Sequence, residues 1–251
     1  MTRMLITIEY DGTGLVGWQT QSTGPSVQAY LEAAAKKLTG TDTLIYGAGR
    51  TDAGVHATGQ TAHLDVADKL EARSVMRGLN AWLKTDQIRV LSAQAVDDDF
   101  HARFDATERR YLYRIISAPV APALDRHRVW YQKKPLDVEA MKAAAPYLIG
   151  KHDFTSFRAT ACQADSPLRT LDRLEVATVG QEIHITAAAR SFLHHQIRNI
   201  TGSLVQVGLG KWPADKMQTV LAARDRQAAG PTAPAHGLYF TGVDYARLQT
   251  L

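Results

Sequence analysis

The chain has 251 residues, 45% hydrophobic and 22% charged, enough to bury a sizeable core in one large domain or two small ones. Its single cysteine, Cys162, excludes an internal disulfide framework and a cysteine-rich zinc cluster, and with no apolar window suited to a signal peptide or membrane span the expected location is cytoplasmic. A formal charge of +4, with 19 arginines among the 29 basic residues and a pI near 9.2, inclines the reading toward a polyanionic partner.

Residues 3–10 alternate apolar and other side chains with β-branched members and read as a strand, stopped at the turn former Asp11-Gly12. After Ser26, a candidate cap, Val27, Leu31, Ala34 and Leu38 recur at helical spacing until Gly40. Residues 43–46 form a short predicted strand feeding a glycine-dense loop, and 58–66 alternate again. A helix over 71–83 would turn Val75, Leu79 and Trp82 inward, before a strand at 88–96. That order, strand, helix, strand, strand, helix, strand, is the order of a ferredoxin-like split βαβ unit.

The second half repeats the order. Residues 110–117 read as strand, 138–148 as helix, 171–179 and 182–188 as a hairpin around Gly180, 192–207 as helix, with a further helix after Pro213 and a strand at 238–245. The expected fold is therefore α+β: two ferredoxin-like halves, 1–105 and 106–251, related by a pseudo-two-fold. They would share one antiparallel sheet, with helices on one face and a central cleft. Loops are expected at 19–25, 118–135, 151–169 and 227–237; the second carries Arg126, His127, Arg128, Lys133 and Lys134 against Asp125, candidate phosphate contacts.

Chemistry concentrates in three clusters. In Tyr46-Gly47-Ala48-Gly49-Arg50-Thr51-Asp52-Ala53-Gly54-Val55-His56, three glycines surround one arginine and one aspartate, and glycine lets another backbone or a ligand approach closely. The run lacks the Gly-Lys-Ser/Thr of a Walker loop and the third glycine of a dinucleotide loop, and a carboxylate in a phosphate nest would repel its ligand. If the segment is extended, Arg50 and Asp52 face the same side; the guanidinium would then keep Asp52 ionised, as a nucleophile or a base. The bland reading is an aspartate that caps its own turn.

The second cluster joins Phe100-His101-Ala102-Arg103-Phe104 to Arg109-Arg110-Tyr111-Leu112-Tyr113-Arg114, aromatics interleaved with cations in a manner suited to stacked bases and a phosphate track. On a strand Tyr111 and Tyr113 share a face, and either one belongs equally well to the core. The third is Arg190-Ser191-Phe192-Leu193-His194-His195-Gln196-Ile197-Arg198-Asn199. Adjacent histidines on a helix would point about 100° apart, and no acidic residue lies between Glu182 and Asp215, so no metal is expected there. His194 and Arg198, four apart, would share a cationic helix face in need of an anion.

Several stretches together resemble the tRNA pseudouridine synthase A family over nearly the whole chain. They are Glu9-Tyr10-Asp11-Gly12-Thr13, Gly17-Trp18-Gln19, Ser26-Val27-Gln28, the loop from Ala48 to His56, and Asp99-Phe100-His101-Ala102-Arg103-Phe104. Further on stand Arg110-Tyr111-Leu112-Tyr113, Asp153-Phe154-Thr155-Ser156-Phe157, the 192–199 segment, Gly202-Ser203-Leu204 and Ala233-Pro234-Ala235-His236-Gly237-Leu238-Tyr239. Leu15, Val16 and Thr20 depart from the family's usual residues.

The resemblance implies a cofactor-free homodimer, needing no metal and no membrane, that converts uridine to pseudouridine in the anticodon arm of tRNA. It assigns Asp52 as the catalytic aspartate, Tyr111 as the tyrosine beside the target base, Arg198 as the aspartate's basic partner and Arg50 as the residue that replaces the flipped base. Arg109, Arg110, Arg126, Arg128, Arg190 and His194 are the expected RNA contacts. The rival expectation is a non-catalytic RNA-binding protein or tRNA chaperone using the same basic cleft.

Overall fold

A computed structural model describes residues 1–248. The strands in chain order are β1 (Thr2–Tyr10), β2 (Tyr46–Gly47), β3 (His56–Val66), β4 (Ile88–Val96), β5 (Ala106–Ser117), β6 (Trp130–Gln132), β7 (Gly150–Asp153), β8 (Leu168–Leu171), β9 (Arg173–Val179), β10 (Glu182–Ala189) and β11 (Leu238–Tyr245). The α-helices among the described residues are α1 (Val27–Thr39), α2 (Ala72–Trp82), α3 (Val138–Ala144), α4 (Gln196–Gly208) and α5 (Lys216–Ala223). The fold is α+β, and no helix among these residues is long and apolar enough to cross a membrane. By compactness the chain forms one unit from Met1–Thr107 together with β11 from its second residue, Tyr239, and another from Glu108–Leu238. This differs from the 1–105 and 106–251 division in one main respect: β11 lies with the first unit.

In the first unit β1 is flanked by antiparallel partners, β3 (Ile6 opposite Ala62) and β4 (Ile6 opposite Ala93). Beyond β3 lie β2, antiparallel through Tyr46 and His63, and β11, parallel through Tyr239 and His56. With both flanks paired, β3 is buried along nearly its whole length rather than on alternate residues, so its polar Gln60 and His63 are interior. The Tyr245 hydroxyl bridges the Thr61 hydroxyl (2.6 Å) and the Ala102 carbonyl (2.8 Å), and its ring meets Phe100 at 4.9 Å.

α1 starts where Ser26 Oγ accepts the Ala29 N–H (3.2 Å) and stops at Gly40, which takes φ 81°. Val27, Leu31, Ala34 and Ala35 are buried. Ser26→Ala removes this cap from a buried position, and an urea-unfolding midpoint should report a loss of about 1 kcal/mol; an unchanged midpoint would show the cap to be dispensable.

Two expectations fail here. Residues 43–45 are not strand: Glu32 Oε1 accepts the Ile45 N–H (3.2 Å) and Gln28 Nε2 donates to the Ile45 carbonyl (3.2 Å), so α1 side chains take the groups a sheet would have used. Trp82 is not an inner-face residue. It closes α2 as the chain turns extended at Leu83 and stays 46% exposed, while Val75 and Leu79 are buried.

In the second unit β10 pairs antiparallel with β5 (Ala187 opposite Tyr111) and with β9 (Ile185 opposite Val176), and β6 runs parallel to β5. β7 and β8 form a separate antiparallel pair. β6, β7 and β8 occupy, wholly or in part, stretches expected to be loops; three or four residues each carry too little periodicity to announce a strand. α3 tightens into a 3-10 turn over Ala145–Leu148, where Pro146 has no N–H to continue the α ladder.

The helix expected from residue 192 starts at Gln196. His195 is left-handed (φ 61°), and Gln196 Oε1 accepts the Leu193 N–H (2.8 Å), closing a turn in front of the helix. His194 therefore shares no helix face with Arg198. The two histidine rings do not splay as they would on a helix: their centroids lie 4.0 Å apart.

Candidate active site

In the first unit, Asp52 lies on the loop between β2 and β3. Ala48 N–H donates to Thr61 O and Gln60 Nε2 donates to Gly49 O, both at 2.8 Å, tying the loop's start to β3. Its far side rests on residues 11–18: Trp18 N–H donates to Thr51 O (3.1 Å), Gly54 N–H to Leu15 O (3.3 Å), and Gly12 N–H to His56 Nδ1 (3.0 Å). The Tyr10 hydroxyl meets Thr51 Oγ1 at 2.8 Å. Burial pushes the Tyr10 phenol up to about 12, so it stays neutral and serves as a fixed hydrogen-bonding post.

This contact surface is why the stretches around Tyr10 and Trp18 carry glycine. A Cβ on Gly12 would stand 2.1 Å from Val55 O, and one on Gly17 2.4 Å from Thr51 O. Inside the loop, a Cβ on Gly47 would strike the Trp18 ring at 2.5 Å and one on Gly49 would press Phe240 at 3.0 Å. The close approach these two glycines permit is by the protein's own rings, where the composition had left open another backbone or a ligand.

Asp52 is half-buried, and its carbonyl accepts the Val55 N–H at 3.2 Å. The chain turns immediately after Asp52, at 53–54, while Arg50, Thr51 and Asp52 precede the turn. Arg50 is exposed and makes no ion pair among the described residues.

In the second unit, β5 sorts its two tyrosines. Tyr113 is fully buried; its hydroxyl donates to Pro234 O (2.7 Å), and its ring fills the space a Gly237 side chain would need. Tyr111 is half-exposed and stands edge-on to Phe192, centroids 5.1 Å apart. Arg198 Nε donates to Ala233 O (2.8 Å) while Ala233 N–H donates to Arg198 O (3.1 Å), a reciprocal pair that fixes the guanidinium's stem.

The next residue, Asn199, binds across three segments. Its Oδ1 accepts from Thr232 Oγ1 (2.7 Å) and Arg226 Nη2 (3.1 Å), and its Nδ2 donates to Phe157 O (2.8 Å). Ala233 and Asn199 escaped sequence reasoning as positioning residues. The available signal was the run of small residues and prolines at 229–237, which composition had marked only as loop.

The remaining candidates divide by exposure. Arg109 is only 8% exposed and its Nη1 donates to the Arg190 carbonyl, so it braces the chain ahead of α4. Arg110 pairs with Glu108 (3.3 Å). Arg126, whose Nη1 donates to Ala123 O (2.9 Å), and Arg128, Arg190 and His194 are all exposed.

Residues 6–105 and 144–246 match the family model described as tRNA pseudouridine synthase. The chain belongs to the tRNA pseudouridine synthase family. Proteins named tRNA pseudouridine synthase A from Caulobacter sp. (strain K31), Maricaulis maris and Rhodospirillum rubrum are 55%, 54% and 53% identical to it over 245 residues. Each alignment spans 98% of this chain, and 98%, 98% and 88% of the respective relative. The family model omits 106–143, which holds Tyr111; the alignments with the relatives, at 98% of the chain, run through it. As a tRNA pseudouridine synthase the chain is an isomerase acting on tRNA uridine.

Proposed function

We propose that this isomerase modifies uridines in the anticodon arm of tRNA, with Asp52 as the catalytic group. Isomerisation breaks the N1–C1' bond, rotates the uracil and joins C5 to C1'; the C5 proton is lost and N1 gains one, so atoms balance with no cofactor. A stacked uridine is out of reach and must be flipped. Arg50, exposed and without an ion pair among the described residues, has the freedom to fill the vacated stack.

Asp52 would attack C1' or take the 2' proton to give a glycal. Arg198, its stem held by Ala233, is the proposed cationic partner that keeps Asp52 ionised. Tyr111, braced by Phe192, would lie against the uracil and receive the C5 proton directly or through water. Exposed Arg126, Arg128, Arg190 and His194, with half-buried Arg110, are the proposed RNA contacts; Arg109 would support them by holding Arg190 in place.

The reading includes a homodimer and two ferredoxin-like halves related by a pseudo-two-fold. Supporting the latter, the first unit orders its antiparallel strands β4, β1, β3, β2, and the second runs β5, α3, β9, β10, α4 in sequence. The single observation that carries the proposal is the clamped loop presenting half-buried Asp52. With tRNA tritiated at uridine C5, the purified protein should release tritium catalytically; binding without release would leave the non-catalytic RNA-binding reading in its place.

A further inference from the structure

The mechanism makes no use of one cluster on the first unit. Tyr46 stacks on His63 (centroids 5.0 Å apart, planes 15°), His63 meets His101 edge-on at 4.6 Å, and His101 packs on Phe104 at 4.3 Å. The outer members are open to solvent, Phe104 at 67% and Tyr46 at 46%. Exposed Arg103 places its guanidinium carbon 5.7 Å from the Phe104 ring centre. Four aromatic rings in continuous contact, two of them uncovered and one flanked by a cation, are costly to leave against water without a purpose.

The rings are held in place and held neutral. Ala102 N–H donates to His63 Nδ1 and Arg103 N–H to His101 Nδ1, both at 3.1 Å. A backbone N–H can only donate, so each Nδ1 is an unprotonated acceptor and each ring carries its hydrogen on Nε2. Burial lowers His63 to about 4 and lowers His101 as well, in agreement with neutral rings. Phe104 is set by a turn in which Phe104 N–H (3.1 Å) and Asp105 N–H (3.0 Å) donate to His101 O, while His101 N–H donates to Asp105 Oδ2 (2.8 Å). Tyr46 belongs to β2, the strand that leads into the loop of Arg50 and Asp52.

We propose that Tyr46, His101, Phe104 and Arg103 form a stacking platform for an unpaired nucleobase of the tRNA substrate, outside the catalytic machinery. Neutral rings offer a π-face to any base, and Arg103 adds charge complementarity to the adjoining phosphate. Recognition of this type favours single-stranded nucleotides over duplex, whose bases are already stacked. The inference rests on the tRNA-substrate reading above, but its test does not depend on turnover.

Phe104→Ala removes an exposed ring and should leave the melting temperature unchanged. Fluorescence anisotropy with unmodified tRNA should show Kd weakened about tenfold, the loss of one base–aromatic stack. Phe104→Trp should restore it, and a blunt-ended, fully paired RNA duplex should bind wild type and Phe104→Ala alike. In tritium release KM should rise with Kd while kcat holds. Wild-type Kd in Phe104→Ala overturns the platform, as does equal weakening for the fully paired duplex. If sedimentation shows that Phe104→Ala separates a dimer while tRNA affinity stays unchanged, the patch is a contact between copies of this chain and the proposal falls. A wild type that binds tRNA but releases no tritium defeats the isomerase reading alone, and the Kd comparison still decides the platform.

Discussion

Asp52→Asn should reduce tritium release from C5-labelled tRNA by about ten-thousandfold or more while tRNA affinity stays within about threefold of wild type. The size follows from the role: a group that attacks the sugar, or takes its proton, has no substitute when its charge is removed, and comparable deletions in other enzymes cost about 10⁴ to 10⁶ in turnover. The preserved affinity follows from the structure. The turn at 52–55 closes through the Asp52 backbone carbonyl, and the loop is held by Thr51, Gly54 and Gln60, none of which the substitution touches. Asparagine also suits turn backbone well. Turnover within about tenfold of wild type would remove Asp52 from the chemistry; a large loss of affinity would make it a binding group.

The largest effect on stability should come from Gly202→Ala. Alanine normally favours a helix interior over glycine by about 1 kcal/mol, yet the added Cβ on α4 would sit 1.7 Å from the Pro231 carbonyl oxygen. Nothing flexible yields there. Gly230 N–H donates to Ser203 Oγ (2.9 Å) and Ala233 is paired with Arg198, so the 230–233 segment is bound to the helix on both sides of the clash. Displacing it should cost about 3 kcal/mol, lowering the melting temperature by roughly 6–12 °C for a chain of this size. It should also lower turnover, since Arg198 moves with Ala233. Gly180→Ala is the control: its φ is 59° but no atom lies within 4 Å of the new Cβ, so only about 1 kcal/mol of left-handed strain is expected. Equal losses in the two variants would mean that backbone strain, not overlap, governs Gly202.

Elements whose signals are local were legible in the sequence. Ser26 and Gly40 bracket α1 through bonds to near neighbours, and the apolar stripes of β1 and β4 suffice to mark them. Elements governed by distant partners were not. The start of α4 depends on a left-handed His195, a conformation few non-glycine residues adopt, and on a Gln196 side chain turning back to Leu193. Residues 43–45 have the composition of a strand but are captured by Gln28 and Glu32 of α1. The site divides the same way. Asp52, Arg50 and Tyr111 stood out through residue type and motif; Ala233, Pro234 and Gly12 lie in stretches that carry the family resemblance, yet residue type gave them no role, because their contributions are a carbonyl, a second carbonyl and an absent Cβ. Arg109 resembled its arginine neighbours until burial set it apart.

The return of β11 to the first unit bears on how the molecule is made. Residues 1–107 contain the loop of Asp52, but Tyr245, which closes over Thr61 and Phe100, and Phe240, which Gly49 is shaped to receive, lie more than a hundred residues further along the chain. On the ribosome the first unit emerges early with a hole in its core and the flank of β3 at His56 and Ala57 unpaired. It waits through the synthesis of more than a hundred further residues before its final strand arrives. The order of synthesis is therefore not the order of completion, and the loop that holds Asp52 acquires its full support only once β11 has been made.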